Sequence, residues 1–321
     1  MIKNNRKIPL VSLMFLLITT LWANPELNYS RIEEVQISCS PFQIVGNLYV
    51  PKGNAPFGLI VWIHGSGPDL KSNKFPGVSF FNSFLDHEFA VFRYDKPGSG
   101  NSNGEFTDSL LFQQRASIVQ AVLENMKTHP QIDSTHIGLV GSSQAGYVIP
   151  LVLENCKDDI AFVIGLSLPA TDGHEQWAYL VKKQMIHEGY SREEAEKFSS
   201  MHLRLVRSKT YKEFMETVRF FEKHPVTISS LQGYDETFAK TLPEWWPLDW
   251  AKLQSLNPME WMTELKIPAL IIYGEKDTQV DPQQGADAYL KLLHGSENPF
   301  YKVVTLPDTD HNMSLAVTGS L

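Results

Sequence analysis

A chain of 321 residues, 43% hydrophobic and 20% charged, has room for one large core with an insertion, or for two small domains. Its formal charge of −8, from 36 acids against 28 bases, argues against nucleic acid or an anionic membrane as a partner. Cys39 and Cys156 fall on separate elements, so sequence alone leaves open whether they pair or remain two buried thiols.

The N-terminus is set aside first. Lys3, Arg6 and Lys7 precede an apolar run from Leu10 to Leu21, and Ala23 supplies a small residue for cleavage. This is the layout of a secretory signal peptide over residues 1–23, and the run is shorter than the ~20 residues a spanning helix needs. The expectation is a secreted or periplasmic protein with no stable membrane insertion after cleavage. No Cys follows the run, which argues against a lipid-anchored lipoprotein.

Two alternating stretches open the remainder, Val35 to Cys39 and Ile44 to Val50, with Gly46-Asn47 read as a bulge or turn inside the second. They predict antiparallel strands. Gly58 to Ile63 is continuous and β-branched, as a strand buried on both faces must be, and runs into His64-Gly65-Ser66-Gly67-Pro68. Ala90 to Tyr94 is a second such strand, ending in Asp95-Lys96-Pro97-Gly98-Ser99-Gly100. A helix is predicted over Leu111 to Met126, then strands over Ile137 to Gly141 and Ala161 to Leu166 with a helix between them. This alternation implies a mostly parallel, doubly wound sheet.

The rhythm breaks at about Pro169. To about Met262 the chain is polar-amphipathic and helical, with capping-box spacing at Ser191/Glu194 and Thr210/Glu213 and a helix stop at Gly189. Five of the seven tryptophans lie here: Trp177, Trp245, Trp246, Trp250 and Trp261. The division is therefore a core of residues 24–168 and 263–321, interrupted by a helical cap over 169–262. The sheet resumes at Pro268 to Gly274, followed by a helix over Pro282 to Leu293 and a last strand over Tyr301 to Leu306.

The strand ending at Gly141 meets the next helix at Gly141-Ser142-Ser143-Gln144-Ala145-Gly146. A sharp strand-to-helix turn needs small neighbours, lifts the Ser143 hydroxyl clear of the sheet and places the Gln144 N–H at a helix N-terminus. A serine nucleophile needs a base, and the base an orienting carboxylate. In such sheets these groups gather beyond the carboxyl ends of the strands. His311 follows the last strand, and Asp277 follows the strand before it. Asp281, just before Pro282, suits a helix cap instead, and Asp172 is a second rival. Asp308 and Asp310 lie too near His311 along the chain. For the oxyanion the donors are the Gln144 N–H and, from the glycine-rich loop, the Ser66 N–H, with Gly67 second. His64 is read as bracing that loop.

These pieces resemble the α/β-hydrolase superfamily of serine hydrolases, in the branch near dienelactone hydrolases, acyl-peptidases and prolyl-oligopeptidase-like domains. The likeness rests on the His64 loop, Arg93-Tyr94-Asp95 with Gly98 and Gly100, the elbow at Ser143, Gly274 with Asp277, and His311. It covers about Ile32 to Asn312. It implies nucleophile Ser143, acid Asp277 and base His311, on an α/β-hydrolase fold with antiparallel N-terminal strands and a helical cap. Ala145 stands where the pattern has Gly. Ten residues follow His311, where relatives carry a closing helix, so that helix is expected to be very short or the chain truncated.

The leading expectation is cleavage of carboxylic esters through an acyl-enzyme, with no cofactor and no metal. Peptidase and thioesterase chemistry use the same groups, and a non-catalytic binder on this fold is a remote alternative. The partner is a small-molecule ester or peptide substrate, and the oligomeric state is left open. A nucleotide site at Gly98-Ser99-Gly100 lacks the G-x-G-x-x-G spacing. His87-Glu88, His174-Glu175 and His187-Glu188 lack the second His of a zinc helix.

Overall fold

The computed structural model describes residues 26–73, 75–105, 112–231, 256–262 and 265–319. The proposed signal peptide, Leu111, Trp245, Trp246 and Trp250 lie outside them. Eight strands form one sheet: β1 (Arg31–Cys39), β2 (Phe42–Val50), β3 (Phe57–Ile63), β4 (Phe89–Tyr94), β5 (Ile132–Ser142), β6 (Phe162–Leu166), β7 (Ala269–Gly274) and β8 (Tyr301–Leu306). Their order is β1-β2-β4-β3-β5-β6-β7-β8. β2 runs antiparallel to both neighbours, and every pairing from β4 to β8 is parallel. The doubly wound sheet with antiparallel N-terminal strands is thus observed.

Gly46-Asn47 neither bulges nor turns. β2 is continuous in register, Gly46 pairing Val35 on one side and Tyr94 on the other. The physical reason is steric: the Phe92 ring lies where a Cβ at Gly46 would stand, so the glycine admits a side chain from the next strand. The chain instead reverses between Cys39 and Phe42.

Helices cover both faces. α1 (Val78–Leu85) was not apparent in the sequence. α2 (Phe112–Lys127) and α3 (Ala145–Cys156) follow β4 and β5. One apolar layer gathers β-strand residues such as Leu59, Val61 and Leu139 with Val119, Val122 and Val148 of α2 and α3. The opposite layer centres on Trp62, with Phe81 and Phe84 of α1. The Phe81 ring meets Trp62 edge-on, with centroids 5.4 Å apart.

Between β6 and β7 stand α4 (Gly173–His187), α5 (Arg192–Val206) and α6 (Tyr211–Lys223), joined by their own apolar cluster of Val181, Met185, Phe198, Phe214 and Phe221. Ser191 and Glu194 form a reciprocal capping box. Thr210 caps α6, but Glu213 reaches the Lys209 N–H rather than that of Thr210. Gly189, at φ 88°, closes α4. The short α7 (Pro258–Trp261) precedes β7, and α8 (Pro282–Gly295) links β7 to β8. Cys39 and Cys156 are free, half-buried thiols.

Candidate active site

The elbow is built by what its neighbours lack. Ser143 stands at φ 51°, a left-handed conformation that costs a non-glycine residue roughly 1–3 kcal/mol. Its N–H donates to the Leu166 carbonyl at 2.9 Å, anchoring the turn to β6. A Cβ at Gly141 would come within 2.5 Å of the Ala145 methyl, and one at Gly146 within 2.8 Å of Pro169. Ala145 is therefore tolerated because Gly141 vacates the space its methyl fills. α3 begins at Ala145, directly after Gln144.

β7 and β8 deliver the other two groups. Asp277 and His311 are both buried, and His311 Nδ1 is hydrogen-bonded to Asp277 Oδ2 at 2.8 Å. The other carboxylate oxygen accepts the Gln279 and Val280 N–H groups at 2.8 and 2.9 Å, so the acid cannot swing away. Gly274 allows the approach. A side chain there would collide with the Thr309 and Asp310 backbone, just ahead of His311. The His311 loop is shaped by Asp310, whose Oδ1 accepts the Asn312 and Ser314 N–H groups at 2.9 Å each. Lys276 Nζ donates to the Ala316 carbonyl, and Thr278 Oγ1 to that of Gly319, clasping the following segment to the acid loop.

The rival acids are otherwise engaged. Asp281 caps α8 through the Gln283 and Gln284 N–H groups. Asp172 caps α4 and pairs with Arg207 at 2.7 Å. Asp308 pairs with Lys276 at 2.6 Å. The hydrogen bond of the His311 ring is to Asp277, and none joins it to Ser143.

The His64–Pro68 loop crosses directly over the elbow. A Cβ at Gly65 would stand 3.3 Å from that of Ser143. Ser66 is exposed at the loop's crest. Sequence reasoning missed the two cations that hold this loop. Lys96 Nζ donates to the Gly65 and Gly67 carbonyls, and Arg115 Nη2 to the His64 carbonyl at 2.5 Å and the Gly65 carbonyl at 3.2 Å. Arg115 Nη1 also binds Gln144 Oε1 at 3.0 Å, tying loop to elbow. A charged residue on the apolar face of a predicted helix was the available signal for Arg115. His64 is fully buried, edge-on to Tyr94 with centroids 4.5 Å apart. Burial first, then Lys96, Arg93 and Arg115, hold its pKa well below the usual histidine value, so it is a neutral brace.

The glycines after β4 serve a turn. Asp95 accepts the Lys71 and Asn101 N–H groups at 2.6 and 2.9 Å, and its carboxylate occupies the space beside Gly100. From above, α4 touches the acid loop: Tyr179 Oη donates to the Asp277 carbonyl at 3.0 Å, and Gln176 Nε2 to the Gln279 carbonyl at 2.8 Å.

Compared with known proteins, residues 60–317 match the family model described as the alpha/beta hydrolase family. The chain is 24% identical over 273 residues to esterase EstD of Thermotoga maritima, covering 84% of this chain and 57% of that protein. It thus spans little more than half the length of that curated relative. Among solved structures, Est1E of Butyrivibrio proteoclasticus with ferulic acid bound gives a TM-score of 0.54 at 19% identity, over 87% of this chain and 91% of that one. The esterase Pf2001 of Pyrococcus furiosus gives 0.52 at 18% identity, over 86% and 82%. These two similarities speak for the fold alone. The family match runs from β3 past His311 and embraces the elbow, the acid loop and the histidine loop: the chain belongs to the alpha/beta hydrolase family.

Proposed function

We propose that this protein is an exported serine hydrolase that cleaves carboxylic esters through an acyl-enzyme on Ser143. The observation that carries the reading is the buried His311–Asp277 hydrogen bond at the ends of β7 and β8, in the same sheet whose β5 ends in the strained Ser143 elbow. Asp277 holds the imidazole with Nδ1 as donor, leaving Nε2 to accept a proton. His311 takes the Ser143 proton as Oγ attacks the ester carbonyl. The resulting oxyanion is held by the Gln144 N–H at the start of α3 and the Ser66 N–H. Collapse expels the alkoxide, which takes its proton from His311, and water repeats the sequence to release the acid.

The similarity to EstD favours an ester over a peptide or thioester bond. Export rests on the basic and apolar pattern of residues 1–23. The helices α4 to α6 serve as a cap whose α4 leans on the acid loop.

Turnover of p-nitrophenyl esters of increasing acyl length, with Ser143→Ala alongside, tests the reaction. Activity that vanishes in the variant supports a serine esterase. No turnover with retained fluorophosphonate labelling of Ser143 moves the reading to a peptidase or thioesterase. Neither, in folded protein, sinks the nucleophile assignment. Cell fractionation with N-terminal sequencing tests export, the expected new terminus lying just after Ala23.

A further inference from the structure

Every position of β4 is buried, including Arg93 at 1% exposure. Alternation along the strand puts Arg93 with Val91 on the α1 face. Its guanidinium carbon sits 4.5 Å over the Phe81 ring. Among the described residues, Nε and Nη2 have no hydrogen-bond partner and no ion pair reaches the side chain. Burial draws its pKa down to about 10, against the opposing influence of Tyr49 and Asp69. A cation–π contact returns only part of what an ion taken from water without acceptors loses. Stability alone does not account for an arginine here.

Arg93 lines a cavity of about 320 Å³, at the lower end of the range for small-molecule sites. Leu27, Ile32, Tyr29, Tyr49 and Phe81 form its apolar wall, with Tyr29 and Tyr49 edge-to-face at 5.6 Å. Glu26, also on the wall, is solvent-exposed. In the sheet, β3 separates β4 from β5, the strand that carries the elbow.

We propose that this cavity binds a small carboxylate with an aromatic or branched apolar body, at a site separate from Ser143. From the cavity the carboxylate brings an acceptor and a countercharge to the guanidinium, the charge-assisted bond that arginine favours. The apolar body covers the wall. A single buried cation opposite an exposed acid suits a monoanion, not a phosphate dianion. The site stands independently of the hydrolysis reading, because it rests on Arg93 and its cavity.

Phenylacetate is the probe, followed by calorimetry on Ser143→Ala protein, with phenylacetamide and inorganic phosphate as comparisons. Phenylacetate binds, and both comparisons bind at least tenfold more weakly, or about 1.4 kcal/mol. Arg93→Met lowers phenylacetate affinity by at least as much, with Tm unchanged or raised because an unpaired buried charge is gone. Ser72→Trp, which fills the cavity and keeps the charge, also removes binding, and decides the matter if Arg93→Met fails to fold. The proposal is overturned if phenylacetate does not bind, if phenylacetamide or phosphate binds equally well, or if affinity survives Ser72→Trp.

Discussion

Lys96 Nζ lies 2.6 Å from the carbonyl oxygens of both Gly65 and Gly67. In a trans peptide the C=O and the following N–H point in opposite directions. Holding the Gly65 carbonyl therefore fixes where the Ser66 N–H points, away from Lys96. A side chain bound to the loop's carbonyls thus sets the direction of a proposed oxyanion donor. Lys96→Met is expected to lower kcat about tenfold or more with KM little changed, since loss of a whole donor costs 10²–10³. Steady-state kinetics on a p-nitrophenyl ester reads this. A KM rise at constant kcat would assign Lys96 to substrate binding instead.

Gly274 sets the distance between the acid and histidine loops. Gly274→Ala pushes a methyl into the Thr309 and Asp310 backbone and is expected to cost about 1–3 kcal/mol, as overpacking does. Chemical denaturation measures the loss, and esterase activity falls with it. An unchanged midpoint and full activity would show that the two loops separate freely.

Tyr179 links α4 to the acid loop through one hydrogen bond to the Asp277 carbonyl. Tyr179→Phe keeps the ring and removes the donor, with an expected stability change of about 1 kcal/mol. If α4 steadies the acid, kcat/KM falls several-fold while Tm barely moves. Equal kcat/KM in both proteins would show that α4 merely rests there.

His202 of α5 is fully buried, stacked on Trp177 of α4 with ring planes 21° apart. Burial, and then His174, lower its pKa from 6.5 to about 3. The folded state thus resists protonation that the unfolded chain accepts. Stability from this residue is fully present above pH 6.5 and drains away as pH falls from there toward 3. His202→Phe keeps the stack and removes the titration, so its Tm declines less steeply over that window. Parallel Tm–pH curves would contradict this.

The legible part of the fold was the part whose physics is local. β3, β4 and β7 read as strands because burial on both faces demands continuous apolar runs. The Ser143 elbow was visible because its small residues are adjacent in sequence. α1 was not visible: its eight residues lie between loop signals and are too short to establish a helical period. Gly46-Asn47 was misread because that pair ordinarily marks a turn, while the Phe92 ring that needs the glycine comes from another strand. Lys96 and Arg115 escaped for a related reason. They act on backbone carbonyls, and no residue pattern announces a carbonyl's position.

The strand order also has a consequence in time. Synthesis produces the elbow with β5, but the histidine and its acid arrive only with β7 and β8, after the whole span of α4 to α6 has been made. A domain folds as a unit, and the core that holds the elbow includes Ala269, Ile271 and Leu293, so on the proposed mechanism Ser143 meets its base only once the last strands are in place. On the same reading, a chain interrupted before β8 would carry Ser143 without the histidine proposed to activate it. The chain order thus leaves the proposed reactivity to the segment that is made last.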